Sequence, residues 1–184
     1  MLIRRCPSHS FTIVGDVAQP SALGGTHSWN TMLDRVFGTD AWDINELTVD
    51  YRNPQEVSDT AGNFAASEGL YISTVNAVRA VPDSVERKTL TTIHSAIDST
   101  IYHAIDLITT YVSSDGSGRV AIICDAEIRD EVDKRLRISM RNSDRISDAE
   151  FNRLTSQPAW DAQIGVYNPI EVKGLEFDAV VLCE

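Results

Sequence analysis

Apolar residues along this chain follow two patterns. Short unbroken runs occupy residues 11–14, 46–51, 89–93, 120–124 and 179–183, with 164–167 as a candidate sixth. Several are continuous rather than alternating, as in strands buried on both faces of a parallel sheet. Between the runs, apolar residues return every three or four positions. Ile97, Ile101, Ile105, Ile108 and Val112 predict an amphipathic helix that the Ser/Gly-rich stretch 114–118 ends. In "NPQEVSDTAGNFAASEG", Asn53 reads as N-cap, Pro54 as the first helical position and Glu56 as the capping-box partner. Val57, Ala61, Phe64 and Ala65 then form one face, and Gly69 stops the helix. Ile128, Val132 and Leu136 mark a further helix with Asp125 as N-cap. Ser147 with Glu150 caps a shorter one over Phe151 and Leu154. The alternation of strands and helices predicts an α/β layered fold with right-handed crossovers. In such sheets ligands collect at the carboxyl ends of strands.

Composition narrows the picture only a little. The 184 residues are 42% hydrophobic and 23% charged, values of a globular domain long enough to bury a core. No apolar run approaches the length of a membrane span, and the first ten residues lack a signal peptide's apolar stretch, so a cytoplasmic protein without a membrane partner is expected. A net charge of −11 argues against wrapping nucleic acid by bulk attraction. Arg129, Lys134, Arg135, Arg137, Arg141 and Arg145 form the one basic-leaning segment, which reads as a solvated helix face. Cys6, Cys124 and Cys183 show no metal spacing, and His9, His27, His94 and His103 are scattered, so no metal site is expected. Cys124 and Cys183 each close an apolar run and read as reduced core thiols at strand ends.

Three predicted strand ends carry chemistry. In "FTIVGDVAQP" a run leads into Gly15, Asp16 and Gln19; alone, these residues read as a turn. In "ELTVDYRNPQE" Arg52 falls at the end of a run, just before a helix N-cap. Its guanidinium suits phosphate oxygens, and equally an ion pair with Asp50 or Glu56. In "EVKGLEFDAVVLCE" Gly174 allows close backbone approach, Lys173 offers charge and Glu176 can accept hydrogen bonds from hydroxyls.

In this order, "IVGDVAQ", "LTVDYRNPQEVSDTAGNF" and "VKGLEFDAVVL" resemble motifs III, IV and V of the superfamily 1 (UvrD/Rep-like) helicase ATPases. The resemblance covers nearly the whole chain, with a weaker middle. It implies a RecA-like, P-loop-NTPase-type three-layer sandwich with a mostly parallel sheet. Residues 1–40 would be the tail of a first RecA-like domain with a connecting helix, and 41–184 a second RecA-like domain. In the family, ATP is clamped between the two. The resemblance makes Gln19 a γ-phosphate contact and Arg52 an arginine finger, the catalytic pair. Gln19, Arg52, Gly174 and Glu176 would face the nucleotide, Glu176 at its ribose, and Lys173 and Asp16 would couple it to the partner. A finger contributes a factor of about 10³–10⁵ in rate, but only to a site that already holds phosphates and magnesium. The sequence has no G-x-x-x-x-G-K-[ST] loop and no acid-ended strand before Phe11. The expectation is therefore of a piece of a larger ATP hydrolase. It would be inactive alone and without bound cofactor, using ATP and Mg2+ only when joined to its N-terminal RecA-like domain.

Departures from the pattern bear on the partner, which is DNA or RNA polymerase. Unwinding members precede Lys-Gly-Leu-Glu with Thr-x-His; this chain has "YNPIEVKGLE". "TTIHSAIDS" copies Thr-x-His without the following Lys-Gly, so His94 reads as a strand-to-helix connector. Trp29, ten residues past Gln19, reads as helix-start packing rather than a base-stacking platform. The short span from Arg52 to Lys173 and the Val-Tyr-Asn-Pro approach look most like the HelD or helicase IV-like bacterial group, whose HelD members remodel or recycle RNA polymerase. Asp50, where the family carries Asn, suggests a carboxylate restraining Arg52 until ATP arrives. A rival from another class is a RecA-like interaction domain without catalysis. The acidic charge fits it, and Gln19, Arg52 and Glu176 together count against it.

Overall fold

The computed structural model describes residues 10–16, 28–39, 41–70, 72–112, 115–158 and 161–183. The chain separates into two compact units, Met1–Arg87 and Lys88–Glu184. It has an α/β fold of short parallel sheets and helices, compatible with a RecA-like three-layer sandwich.

In the first unit, α1 (Trp29–Phe37) is followed by β1 (Val49–Pro54), α2 (Gln55–Ser67) and β2 (Asn76–Arg79). Ser28 caps α1 by accepting the Thr31 N–H. Trp29 opens that helix with its ring against the Gly15 backbone, where a Cβ would come within 3.0 Å. β1 and β2 pair in parallel across the α2 crossover. The ladder shifts register between Asp50 and Pro54, so Tyr51, Arg52 and Asn53 stand against Val78 alone. α2 ends in a Schellman arrangement: Leu70 N–H bonds to the Ala65 carbonyl and Gly69 N–H to that of Ala66.

In the second unit, α3 (Ile93–Tyr111) leads to β3 (Val120–Cys124), α4 (Ala126–Arg141), α5 (Asp148–Thr155), β4 (Ile164–Tyr167) and β5 (Ala179–Cys183). The sheet order is β4-β3-β5, all parallel. One face of the sheet carries Val120, Ile122, Cys124, Val166 and Cys183. It shares a core with Ile97, Ile101, Ile105 and Ile108 of α3 and with Val132, Leu136 and Met140 of α4. The α3 stripe is the one its spacing predicts, and each such buried Ile contributes about 1.5–3 kcal/mol. Cys124 and Cys183 are buried free thiols at adjoining positions of β3 and β5. Burial pushes the Cys124 thiol up, and the neighbouring Cys183 adds to the shift.

Several expected elements move. Residues 11–14 form no strand: Phe11 instead packs its ring on Phe37 at 6.0 Å, and Val14 is exposed. The run at 46–51 becomes a strand only from Val49, and it continues through Pro54. The run at 89–93 is the approach to α3, because Thr92 and Ser95 close a capping box that commits Ile93 to the helix. His94 is thus an exposed first-turn helix residue. Asn53 does not cap α2; Pro54 occupies the N-cap position without a side-chain bond, and Asn53 is spent on Asp50. Asp125 is the N-cap of α4 but makes no side-chain cap bond, whereas Ser147 caps α5 through the Glu150 N–H as expected.

Candidate functional site

The first group of candidate residues stands where β1 turns into α2. Asp50 organises it. Its Oδ1 accepts the N–H groups of Arg52 (2.8 Å) and Asn53 (2.9 Å). Its Oδ2 accepts the Asn53 side-chain amide (2.8 Å) and the Ser58 hydroxyl (3.1 Å). The Asn53 N–H and side-chain amide, with help from the Arg52 N–H and Ser58, hold the Asp50 carboxyl down at about 2. The carboxylate thus closes the turn through the Arg52 main-chain N–H.

Arg52 lies within that turn as an exposed residue, and its carbonyl accepts from Arg79 Nη1 at 2.7 Å. Gln55 ties the start of α2 to β2. Its carboxamide accepts the Ala77 N–H (2.7 Å) and donates to the Val75 carbonyl (3.2 Å) and to Asp59 (2.8 Å). Glu56, expected to complete a capping box, instead accepts from the Ser84 hydroxyl and the Val85 N–H, folding the segment after β2 back onto α2. Asp16 belongs to the same unit and is exposed; Gln19 lies outside the described residues.

The second group shares one loop of the second unit, residues 168–178, between β4 and β5. The loop opens on a turn that the Asn-Pro-Ile-Glu sequence builds. Asn168 Oδ1 accepts the N–H groups of Ile170 (2.9 Å) and Glu171 (3.1 Å), and Glu171 Oε2 accepts the Asn168 N–H (2.9 Å). Arg129, in the first turn of α4, bonds both the Val166 carbonyl (3.2 Å) and Glu171 (3.1 Å). Gly174 follows at φ +80, a backbone conformation that costs a residue with a Cβ roughly 1–2 kcal/mol.

The far end of the loop is held as firmly. Phe177 packs on Tyr167 with ring centroids 5.6 Å apart. Tyr167 in turn folds back over Gly165, where a Cβ would lie 2.3 Å from the ring. Burial pushes the Tyr167 phenol up. Asp178 donates its N–H to the Arg119 carbonyl (2.8 Å) and accepts the Arg119 N–H on Oδ2 (2.8 Å). Lys173, Gly174 and Glu176 are therefore brought together on the exposed crest of a loop pinned at both feet.

The basic segment on and after α4 is largely occupied within its own unit. Arg135 pairs with Asp98 and Glu131, Arg137 with Asp133, and Arg145 with Asp106. Arg141 lies over the Phe151 ring at 5.8 Å. These are contacts of a solvated face, as the mixed charges predict.

Sequence reasoning missed four contributors. Arg79 carries no local signal. Asn168 and Glu171 do: Asn-x-x-Glu with Pro after the Asn is a capping-box pattern. Gln163, buried before β4, gathers the Ser117 and Gly118 carbonyls, Gln157 and Arg153. Among the described residues no helix is long and apolar enough to cross a membrane, and no group of three or more His, Cys, Asp or Glu could hold a metal ion. No protein-family model, no curated protein and no solved structure matches the chain.

Proposed function

We propose that this chain is part of a superfamily 1 helicase-like motor that hydrolyses ATP. Arg52 is its arginine finger, and Lys173, Gly174 and Glu176 form the turn that couples the nucleotide to the partner. One observation supports the reading most. Arg52 stands near the carboxyl end of β1, with Asn53 and Pro54 between it and α2, on a main chain held by Asp50 and Arg79. Strand ends of this kind are where parallel sheets receive ligands. A guanidinium on a rigid main chain also matches the chemistry of phosphoryl transfer, which is positioning and charge neutralisation. The proposal gives this chain phosphate and ribose contacts. It leaves the phosphate loop and the magnesium ligands to another part of the motor.

The test is Arg52→Ala in the intact protein. Turnover should fall by about 10³-fold or more while ATP binding persists. Unchanged turnover removes Arg52 from the mechanism and the reading with it. Purified alone, this chain should not hydrolyse ATP, and magnesium-dependent hydrolysis by it would contradict the division of labour.

The Asn168–Glu171 turn favours a second reading of the partner. Where DNA-unwinding members carry Thr-x-His, this chain has an Asn-Pro-Ile-Glu turn with Ile170 exposed. That supports an RNA polymerase-associated motor of the HelD kind over a DNA translocase. Binding of the intact protein to single-stranded DNA that weakens steeply with salt would favour DNA. Salt-tolerant association with RNA polymerase would favour the second reading.

A further inference from the structure

Arg52 lies where the β1–β2 ladder slips, and charged side chains take up the slack. Its N–H donates to Asp50 Oδ1 at 2.8 Å, and its carbonyl accepts from Arg79 Nη1 at 2.7 Å. Asp50 is itself fixed by Asn53 and Ser58. Arg79 is the last residue of β2 and is paired in register with Pro54, just past the slip. Its guanidinium thus reaches back from a strand-anchored position to the carbonyl two residues before its own partner. The planar fork makes that contact more directional than an ammonium would, and charge on the donor strengthens it.

We propose that Arg79 is the positioning residue for the Arg52 finger: by holding the Arg52 carbonyl it fixes the direction in which the Arg52 side chain leaves β1. This rests on the reading of Arg52 as the finger and goes beyond it by naming what aims that finger. Arg79 acts through Arg52 and makes no phosphate contact of its own. The physical need is clear, since a misplacement of about 1 Å in a catalytic group costs on the order of a hundredfold in rate.

A double-mutant cycle on ATP hydrolysis by the intact protein tests this, using Arg52→Ala, Arg79→Met and both together, with Arg79→Lys as the conservative control. Arg79→Met should lower kcat by roughly ten- to a hundredfold and leave KM for ATP within about twofold, because only transition-state positioning is lost. In the Arg52→Ala background, Arg79→Met should cost nothing further, since residues acting as one unit are not additive. Arg79→Lys should recover part of the rate, and thermal melting should show that each variant folds.

A wild-type rate for folded Arg79→Met overturns the positioning role. So does an Arg79→Met loss that persists undiminished without Arg52. Either result leaves the finger standing if Arg52→Ala alone abolishes turnover. A wild-type rate for Arg52→Ala overturns finger and positioning residue together.

Discussion

Asn168 and Glu171 hold each other in both directions. The Asn168 side chain accepts the Glu171 N–H at 3.1 Å, and the Glu171 carboxylate accepts the Asn168 N–H at 2.9 Å. This is the reciprocal bonding of a helix capping box, used here to start a turn rather than a helix. Glu171 also receives Arg129, so the turn is tied to α4.

Removing either partner should loosen the foot of the loop that carries Lys173, Gly174 and Glu176. Asn168→Ala is expected to cost about 1 kcal/mol, the usual worth of a cap. Hydrogen exchange should rise across residues 170–175 and leave β3 unchanged. Glu171→Ala should do the same and release Arg129 as well. Exchange rates in this segment that match the parent would show that other contacts carry the turn.

Asp50 predicts an acid dependence of the first unit. Its carboxyl sits at about 2 in the fold against an ordinary 3.8. A depressed acid stabilises the fold fully above its unfolded value, and the contribution is lost as pH falls through the folded one. Urea midpoints should therefore drop between about pH 4 and pH 2. Asp50→Asn should be less stable at neutral pH, because its amide cannot accept from both the Asn53 amide and Ser58. It should also flatten the dependence across that window. An equal acid slope in parent and variant would refute the assignment.

Gly165→Ala places a Cβ on the Tyr167 ring, and the ring cannot swing away without abandoning Phe177. Overpacking of this kind costs about 1–3 kcal/mol. Chemical denaturation should show it, together with a change in tyrosine fluorescence. A Gly165→Ala variant of parent stability would mean that Tyr167 has another rotamer at no cost.

Gln163 is 2% exposed and serves several partners at once. Gln163→Leu keeps the volume but strands the Ser117 carbonyl and the Gln157 and Arg153 side chains. These partners are only part-buried, and a polar group left unpaired there costs up to about 1–3 kcal/mol, so the variant should be less stable by urea titration. A loss below about 1 kcal/mol would show that water replaces the amide.

The parts of the fold visible in the sequence are those decided locally. Continuous apolar runs at 120–124, 164–167 and 179–183 are strands at those positions, because burial on a parallel sheet needs little else. The run at 89–93 has similar composition and is not a strand. Two hydroxyls, Thr92 and Ser95, decide it, and the helix stripe beginning at Ile97 extends back to them. β2 has no signature in the sequence because four residues, Asn-Ala-Val-Arg, carry no periodicity, and part of its bonding comes from the Gln55 side chain, not a strand. The same division holds at the site. Arg52 stands out by its place between strand and helix, while Arg79 is distant in sequence and becomes meaningful only through one carbonyl. The Asn-Pro-Ile-Glu turn was legible as a cap, but it is read first as a departure from a helicase pattern.

The Gln55 carboxamide has a consequence for the first unit's sheet. A strand's backbone groups alternate in direction, and Asn76 spends its N–H on Thr48. The flanking Val75 carbonyl and Ala77 N–H therefore face the other way, and there they meet the side chain of Gln55. One amide imitates the peptide group of a third strand. The smallest possible parallel sheet is thereby sealed on that side, and a foreign strand seeking to extend it would first have to evict a residue of its own helix.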